Sequence, residues 1–180
     1  MRRSDDRATR MEAAVRAHAP DLLAYFARRV RSESNAADLL ADTLLALWRR
    51  ASSLPPADDE VRPWMFSFAR GILLHHFRGV TRRHALADRL RDELAGTAHP
   101  GFADSDEYDD LRGAVRALDV VDRDIIGLVH WEGFSLIEVS RILGMKEGTV
   151  RSRYHRAKAR LRDQLEDRAH ASTPIGSHLG

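Results

Sequence analysis

Apolar residues recur every third or fourth position through most of this 180-residue chain, which is the spacing of amphipathic helices. No stretch alternates β-branched and polar residues between hairpin turns, so strands are not expected. The pattern predicts a polar, loose segment to about Thr9, then a helix over residues 10–18. A second helix follows over 20–31 and buries Leu22, Leu23, Phe26 and Val30; Pro20 suits its first turn, where a missing N–H costs nothing. After the polar break at 32–35, a third helix over 36–51 carries Leu39, Leu40, Thr43, Leu44, Leu47 and Trp48. Pro55-Pro56 and three consecutive acids mark 52–62 as a loop, and a fourth helix starts near Pro63 and runs to about Arg83. Gly96, Pro100 and Gly101 interrupt the periodicity over 91–103. It resumes near Tyr108, with Leu111, Val115 and Leu118 on one apolar face and Ile125, Ile126, Leu128, Val129 and Trp131 on the next. The expected fold is all-α: two small helical domains, 1–88 and 108–168, joined by a flexible acidic linker, 89–107, with a disordered tail, 169–180.

The second domain carries a helix-turn-helix. Ser135 is an N-cap with Glu138 three residues on, the spacing of a capping box. Leu136, Val139, Ile142 and Leu143 form the stripe of the first short helix, and Gly144 ends it with a tight turn. A second helix starts near Glu147 and runs to about Asp167. At 100° per residue, Val150, Tyr154, Ala157, Leu161 and Leu165 share its core face. Gly148, Thr149, Ser152, His155, Arg156 and Ala159 lie opposite, small near the helix start and polar one turn on, which lets the helix approach base edges. Arg151 and Arg153 fall on the flanks, where phosphates run. Lys146 is a poor N-cap for this helix.

Charge adds direction. The net charge is only +2 and the pI about 9.4, but the signs are segregated. Residues 146–168 hold eight Lys or Arg against four acids, while 104–110 hold five acids and no base. Segregation of that kind indicates surfaces with separate partners. The absence of cysteine excludes disulfides and thiolate metal sites. No run of 18 apolar residues spans a membrane, and no apolar leader follows Arg2-Arg3, so a cytoplasmic protein is expected. His75-His76 lack partners at metal-ligand spacing, and no nucleophile elbow or phosphate-cradling glycine loop occurs. Neither enzyme activity, metal nor cofactor is expected.

The second-lobe motifs, Leu118-Asp119-Val120-Val121-Asp122-Arg123-Asp124-Ile125-Ile126, Glu132-Gly133-Phe134-Ser135 and Gly148-Thr149-Val150-Arg151-Ser152-Arg153 through Leu161, resemble the C-terminal domain of bacterial extracytoplasmic-function sigma factors. Ala37-Asp38-Leu39-Leu40-Ala41-Asp42-Thr43 with Leu47-Trp48-Arg49 resembles that family's polymerase-binding helix. Pro63-Trp64-Met65-Phe66-Ser67-Phe68-Ala69-Arg70 with Arg78, Arg82 and Arg83 resembles its promoter-melting helix.

The resemblance implies a transcription initiation factor that docks on the β′ and β subunits of core RNA polymerase and reads promoter DNA. By it, Ser152, His155 and Arg156 face −35 bases, with Thr149, Arg151 and Arg153 near the backbone. Asp38, Leu39, Asp42, Thr43 and Trp48 lie on or beside the polymerase contact. Trp64, Arg70, Arg78, Arg82 and Arg83 serve the −10 element, and the 52–62 loop cradles a flipped base. The acidic linker passes through the polymerase's nucleic-acid channel, and an anti-sigma factor is a further partner the family implies. The chain departs from the family pattern at Ala37 and Ala41 (Glu and Gln are usual), Gly71 (Asn), His75 (Asp) and Asp119 (Pro). The competing reading is a helix-turn-helix regulator of the response-regulator output type, which usually places an α/β sensor where this chain has helices.

Overall fold

The computed structural model describes the backbone of residues 2–30, 32–94, 113–115 and 117–171, and the side chains of 6–30, 32–82, 113–115 and 117–166. The acidic stretch 104–110, Leu111, the Gly96–Gly101 punctuation and the end of the tail lie outside the described residues. The elements are α1 (Arg2–Ala27), α2 (Glu33–Arg49), a 3-10 turn (Ala51–Ser53), α3 (Asp58–Leu94), α4 (Val120–His130), α5 (Leu136–Leu143) and α6 (Glu147–Ala171). No strand occurs among the described residues. The chain divides into two compact units, one built on α1–α3 and the other on α4 and α6.

In the first lobe, each of the three helices packs on the other two. The expected break at Pro20 is absent: α1 is continuous through it and begins at Arg2, inside the stretch expected to be loose. Met11, Leu22, Tyr25 and Phe26 are all fully buried and recur on one helical stripe that crosses the proline. Burying each is worth about 1.5–3 kcal/mol, which together exceeds the roughly 3 kcal/mol an interior proline costs. Leu23, one step round the helix from Leu22, falls off this stripe and is 40% exposed rather than buried. Helix α2 contributes Ala36, Leu39, Thr43 and Leu47. Helix α3 contributes Val61, Met65, Phe66, Ala69 and Leu73. Tyr25 and Phe66 meet edge to face at 5.4 Å across the α1–α3 contact.

Helix α3 also begins earlier and ends later than the pattern suggests. Asp58, Asp59 and Glu60, expected in a loop, form its first turn, where negative charge complements the helix dipole. Pro63 therefore sits inside the helix, and the loop before it shrinks to residues 54–57. At the other end, 84–94 contain Ala, Leu, Glu and Arg but no breaker, so the helix runs to Leu94, into the stretch expected to be linker.

In the second lobe, Ala114, Val115, Leu118, Ile126, Ala157 and Leu161 form a core cluster, with Tyr154 packed against it. Residues 113–115 and 117 are helical. Arg123 donates to the carbonyls of Val115 (3.2 Å) and Leu118 (3.0 Å), satisfying oxygens at that stretch's C-terminal end. Trp131 lies past the end of α4 and is 48% exposed, off the apolar face expected for it.

Candidate nucleic-acid interface

The geometry of the helix-turn-helix follows from a few local bonds. The Ser135 backbone N–H and hydroxyl both donate to the Glu138 carboxylate, at 2.8 and 2.7 Å, and the Glu138 N–H returns a 3.3 Å bond to Ser135 Oγ. This reciprocal capping box starts α5. Gly144 ends it at φ +63°, with the Met145 N–H bonded to the Ser140 carbonyl at 2.9 Å and the Gly144 N–H to Arg141 at 3.3 Å. That left-handed step is nearly free for glycine and turns the chain into α6.

Helix α6 is divided lengthwise. Val150 and Ala157 are fully buried and Leu161 nearly so. Gly148, Thr149, Arg151, Ser152, His155 and Arg156 are exposed. The Arg156 Nε leans back on the Ser152 carbonyl at 3.4 Å, a weak contact that leaves the guanidinium able to engage another acceptor. Arg151 donates to Glu147 at 2.6 Å while its side chain stays 60% exposed. The Tyr154 hydroxyl lies 3.2 Å from His130 Nε2, their rings stacked at 5.9 Å.

Arg153 stands apart from the other basic residues of α6. Its Nη2 donates to Asp119 Oδ2 at 2.5 Å. Its Nε lies 2.7 Å from Asp122 Oδ1, a charge contact without the alignment of a hydrogen bond. The side chain is 26% exposed, less than half the value for Arg151. Asp119, a departure from the expected proline, N-caps α4: one carboxylate oxygen accepts from the Val121 and Asp122 N–H groups, each at 2.9 Å. The Asp122 backbone N–H, and then the Arg153 guanidinium, hold the Asp119 carboxyl below the ordinary carboxylate range. Arg153, expected beside the DNA backbone, is thus half-covered and tied to the first turn of α4. Asp before an apolar helix is a readable cap signal; its pairing with an arginine 34 residues later is not.

In the first lobe, Asp38, Asp42 and Trp48 are exposed on α2, with Trp48 at 42% and the neighbouring Leu45, not singled out in the sequence, at 54%. Leu39 and Thr43 turn toward the core: Leu39 is 4% exposed, at the floor of a groove it shares with Asp42 and Leu45, and Thr43 is fully buried, its hydroxyl donating to the Leu39 carbonyl at 2.7 Å. Thr43 has no side-chain surface to offer a partner. A groove between α2 and α3 is lined by Asp42, Leu45 and Arg49 on one side and Gly71, His75 and Gly79 on the other. Along α3, Trp64, Phe68, Gly71, His75, Arg78 and Arg82 recur within 40° of one line. Trp64 meets Phe68 edge to face at 5.0 Å, and Arg78 and Arg82 are exposed. Arg70 lies about 120° off that line and is half-buried. Arg83 is on the helix, but its side chain is outside the described residues.

Sequence reasoning missed Arg10. Its Nη2 reaches the carbonyls of Pro55 (3.1 Å) and Pro56 (3.2 Å) and the Asp58 carboxylate (3.1 Å), holding the short loop before α3 against α1. His18 is partly buried on the same helix; desolvation and then the Arg62 charge lower its pKa, against a smaller opposing pull from Asp21. Among the described residues no cluster of His, Asp or Glu could hold a metal ion, and no helix is long and apolar enough to cross a membrane.

Residues 14–84 match the family model for sigma-70 region 2, and 108–161 match the model for sigma-70 region 4. The ECF RNA polymerase sigma factor SigL of Mycobacterium tuberculosis is 28% identical over 166 residues, covering 87% of this chain and 89% of the relative. The ECF RNA polymerase sigma factor SigE of Mycolicibacterium smegmatis is 31% identical over 155 residues, covering 84% of this chain and 60% of the relative. Among solved structures, the sigma factor RpoE of Bartonella quintana, in complex with the anti-sigma factor NepR, superposes with a TM-score of 0.60. It is 26% identical, over 86% of this chain and 96% of that one.

Proposed function

The chain belongs to the sigma-70 family, as an extracytoplasmic-function sigma factor, and on that premise we propose how its surfaces divide the work. It is a transcription initiation factor that binds core RNA polymerase and directs it to promoters by their −10 and −35 elements. The phosphodiester chemistry belongs to the polymerase, in the cytoplasm, and this chain supplies targeting without a cofactor.

Ser152, His155 and Arg156 read −35 base edges in the major groove, while Thr149 and Arg151 contact the backbone. The exposure of that whole face of α6, on a helix whose other face is packed core, is the observation that carries the assignment. Arg156 can donate two hydrogen bonds to guanine, worth about 1–3 kcal/mol of discrimination. In the first lobe, Asp38, Asp42, Leu45 and Trp48 form the polymerase contact, with the exposed tryptophan as its anchor. The Trp64–Arg82 line of α3 follows the melted −10 strand, its aromatic end for stacking and its basic end for phosphate. The 54–57 loop, held by Arg10, receives the extruded base. An anti-sigma partner, as RpoE has in NepR, masks the α2 surface in this reading.

Run-off transcription with purified core polymerase on a promoter library tests this directly. Arg156→Ala is expected to change −35 preference, whereas Arg151→Ala weakens all promoters alike. Equal loss across sequences for both variants refutes the assignment of the reading face.

A further inference from the structure

We infer that Arg153 is a positioning residue, an internal strut tied to Asp119 and Asp122 that sets the roll of the recognition helix, and that it makes no contact with DNA phosphate. The inference rests on α6 being the −35 reader.

Three observations converge on it. One guanidinium lies within 2.7 Å of two carboxylates, so the cluster carries a net negative charge and repels a phosphate. The arginine is mostly covered, and the Asp122 side chain is only 7% exposed, so recruiting Arg153 to DNA would strand a buried carboxylate. Finally, the anchor is fixed at its far end. The Asp119 carboxylate caps α4 with its other oxygen, so the position of that carboxylate is set by the first turn of α4.

The consequence is geometric. Arg153 is next to Ser152 and two residues before His155, so tying it to the start of α4 fixes which residues of α6 point away from the core. Hydrophobic packing of Val150, Ala157 and Leu161 alone permits some rolling, because it is non-directional. The ion cluster supplies direction.

The sign of the acid variants provides the test. Full-length protein is combined with core polymerase, and a promoter fragment is selected from a random library by the wild-type holoenzyme. Failure of that selection to return a −35 element would defeat the underlying reading, independently of the strut. Given the fragment, Asp119→Asn and Asp122→Asn each remove a negative charge beside DNA. If Arg153 were a phosphate ligand restrained by these acids, both variants would bind more tightly. As a strut, both bind more weakly, by about threefold or more, threefold being about 0.65 kcal/mol of coupling. Asp119→Asn retains an oxygen to cap α4, which keeps the fold intact.

The salt dependence gives a second readout that loss of stability does not move. Arg151→Ala should flatten the slope of log K against log salt by about 0.9, the value of one phosphate contact. Arg153→Gln should weaken binding with the slope unchanged, Arg153→Lys should recover part of the loss, and both should match wild type on fragments lacking the −35 element. Tighter binding by either acid variant, a slope change of about 0.9 in Arg153→Gln, or unaltered affinity in all of these variants overturns the inference.

Discussion

Leu39 and Thr43 sit in the helix that the family resemblance assigns to polymerase, yet both are buried, and the difference can be measured. Leu39 is 4% exposed in the three-helix core, so Leu39→Ala removes packing and leaves a cavity at a cost of about 2–5 kcal/mol. For a lobe of this size, that lowers the unfolding midpoint by at least about 8 °C. Thr43→Val keeps the shape and removes only a hydroxyl that bonds the Leu39 carbonyl, which helix geometry already pairs with the Thr43 N–H. Stability should therefore change by less than about 1 kcal/mol. Trp48 is 42% exposed, so Trp48→Ala costs the fold much less than a core truncation, about 1–2 kcal/mol. As an interface anchor, however, it should weaken polymerase binding by about 30-fold, the equivalent of about 2 kcal/mol. Thermal unfolding and fluorescence-anisotropy titration with core polymerase, run on the same three preparations, separate these effects. Leu39→Ala should lower the midpoint and Trp48→Ala the affinity, with Thr43→Val doing little of either. A Thr43→Val protein with wild-type stability but a tenfold loss of polymerase affinity would refute the assignment of that residue to the core.

Further consequences are as direct. Asp119→Ala removes the α4 cap and should cost about 1 kcal/mol near neutral pH by thermal unfolding. Because the folded-state pKa of Asp119 is depressed, its charge-dependent stabilisation is present above the unfolded carboxylate value; it is lost as pH falls through the lower folded value, so the gap between variant and wild type should narrow only in that acid range. His18 also has a lowered folded pKa, so the first lobe should lose stability as pH drops below the ordinary histidine value, and His18→Gln should flatten that slope. Gly144→Ala forces a side chain into φ +63° and should lower stability by about 1–2 kcal/mol despite open space around the Cβ position, visible by calorimetry. Arg10→Ala frees the 54–57 loop and should reduce permanganate reactivity of −10 thymines in the holoenzyme complex while leaving affinity for a −35 duplex segment unchanged.

Much of the second lobe could be read from local signals. The capping box at Ser135 and Glu138, the Gly144 turn and the 3.6-residue seam through Val150, Ala157 and Leu161 depend on contacts within a few turns, so spacing alone exposes them. The first lobe was less legible because tertiary burial overrode punctuation. Pro20 and Pro63 read as helix boundaries, but the buried stripes on either side of each continue the helix. Three acids in a row read as loop, whereas at the start of α3 they complement its dipole. Arg10 and Arg153 were opaque for a different cause: each finds its partners more than 30 residues away, at distances that no periodicity encodes.

Footprinting of the chain on a selected promoter, with and without core polymerase, bears most directly on the central claim that two helical lobes grip separate promoter elements only as part of the polymerase complex. Two protected blocks, at −35 and −10, should appear when core polymerase is present and vanish without it. A chain that protects a duplex site equally well alone, or a complex that protects one block only, would contradict it.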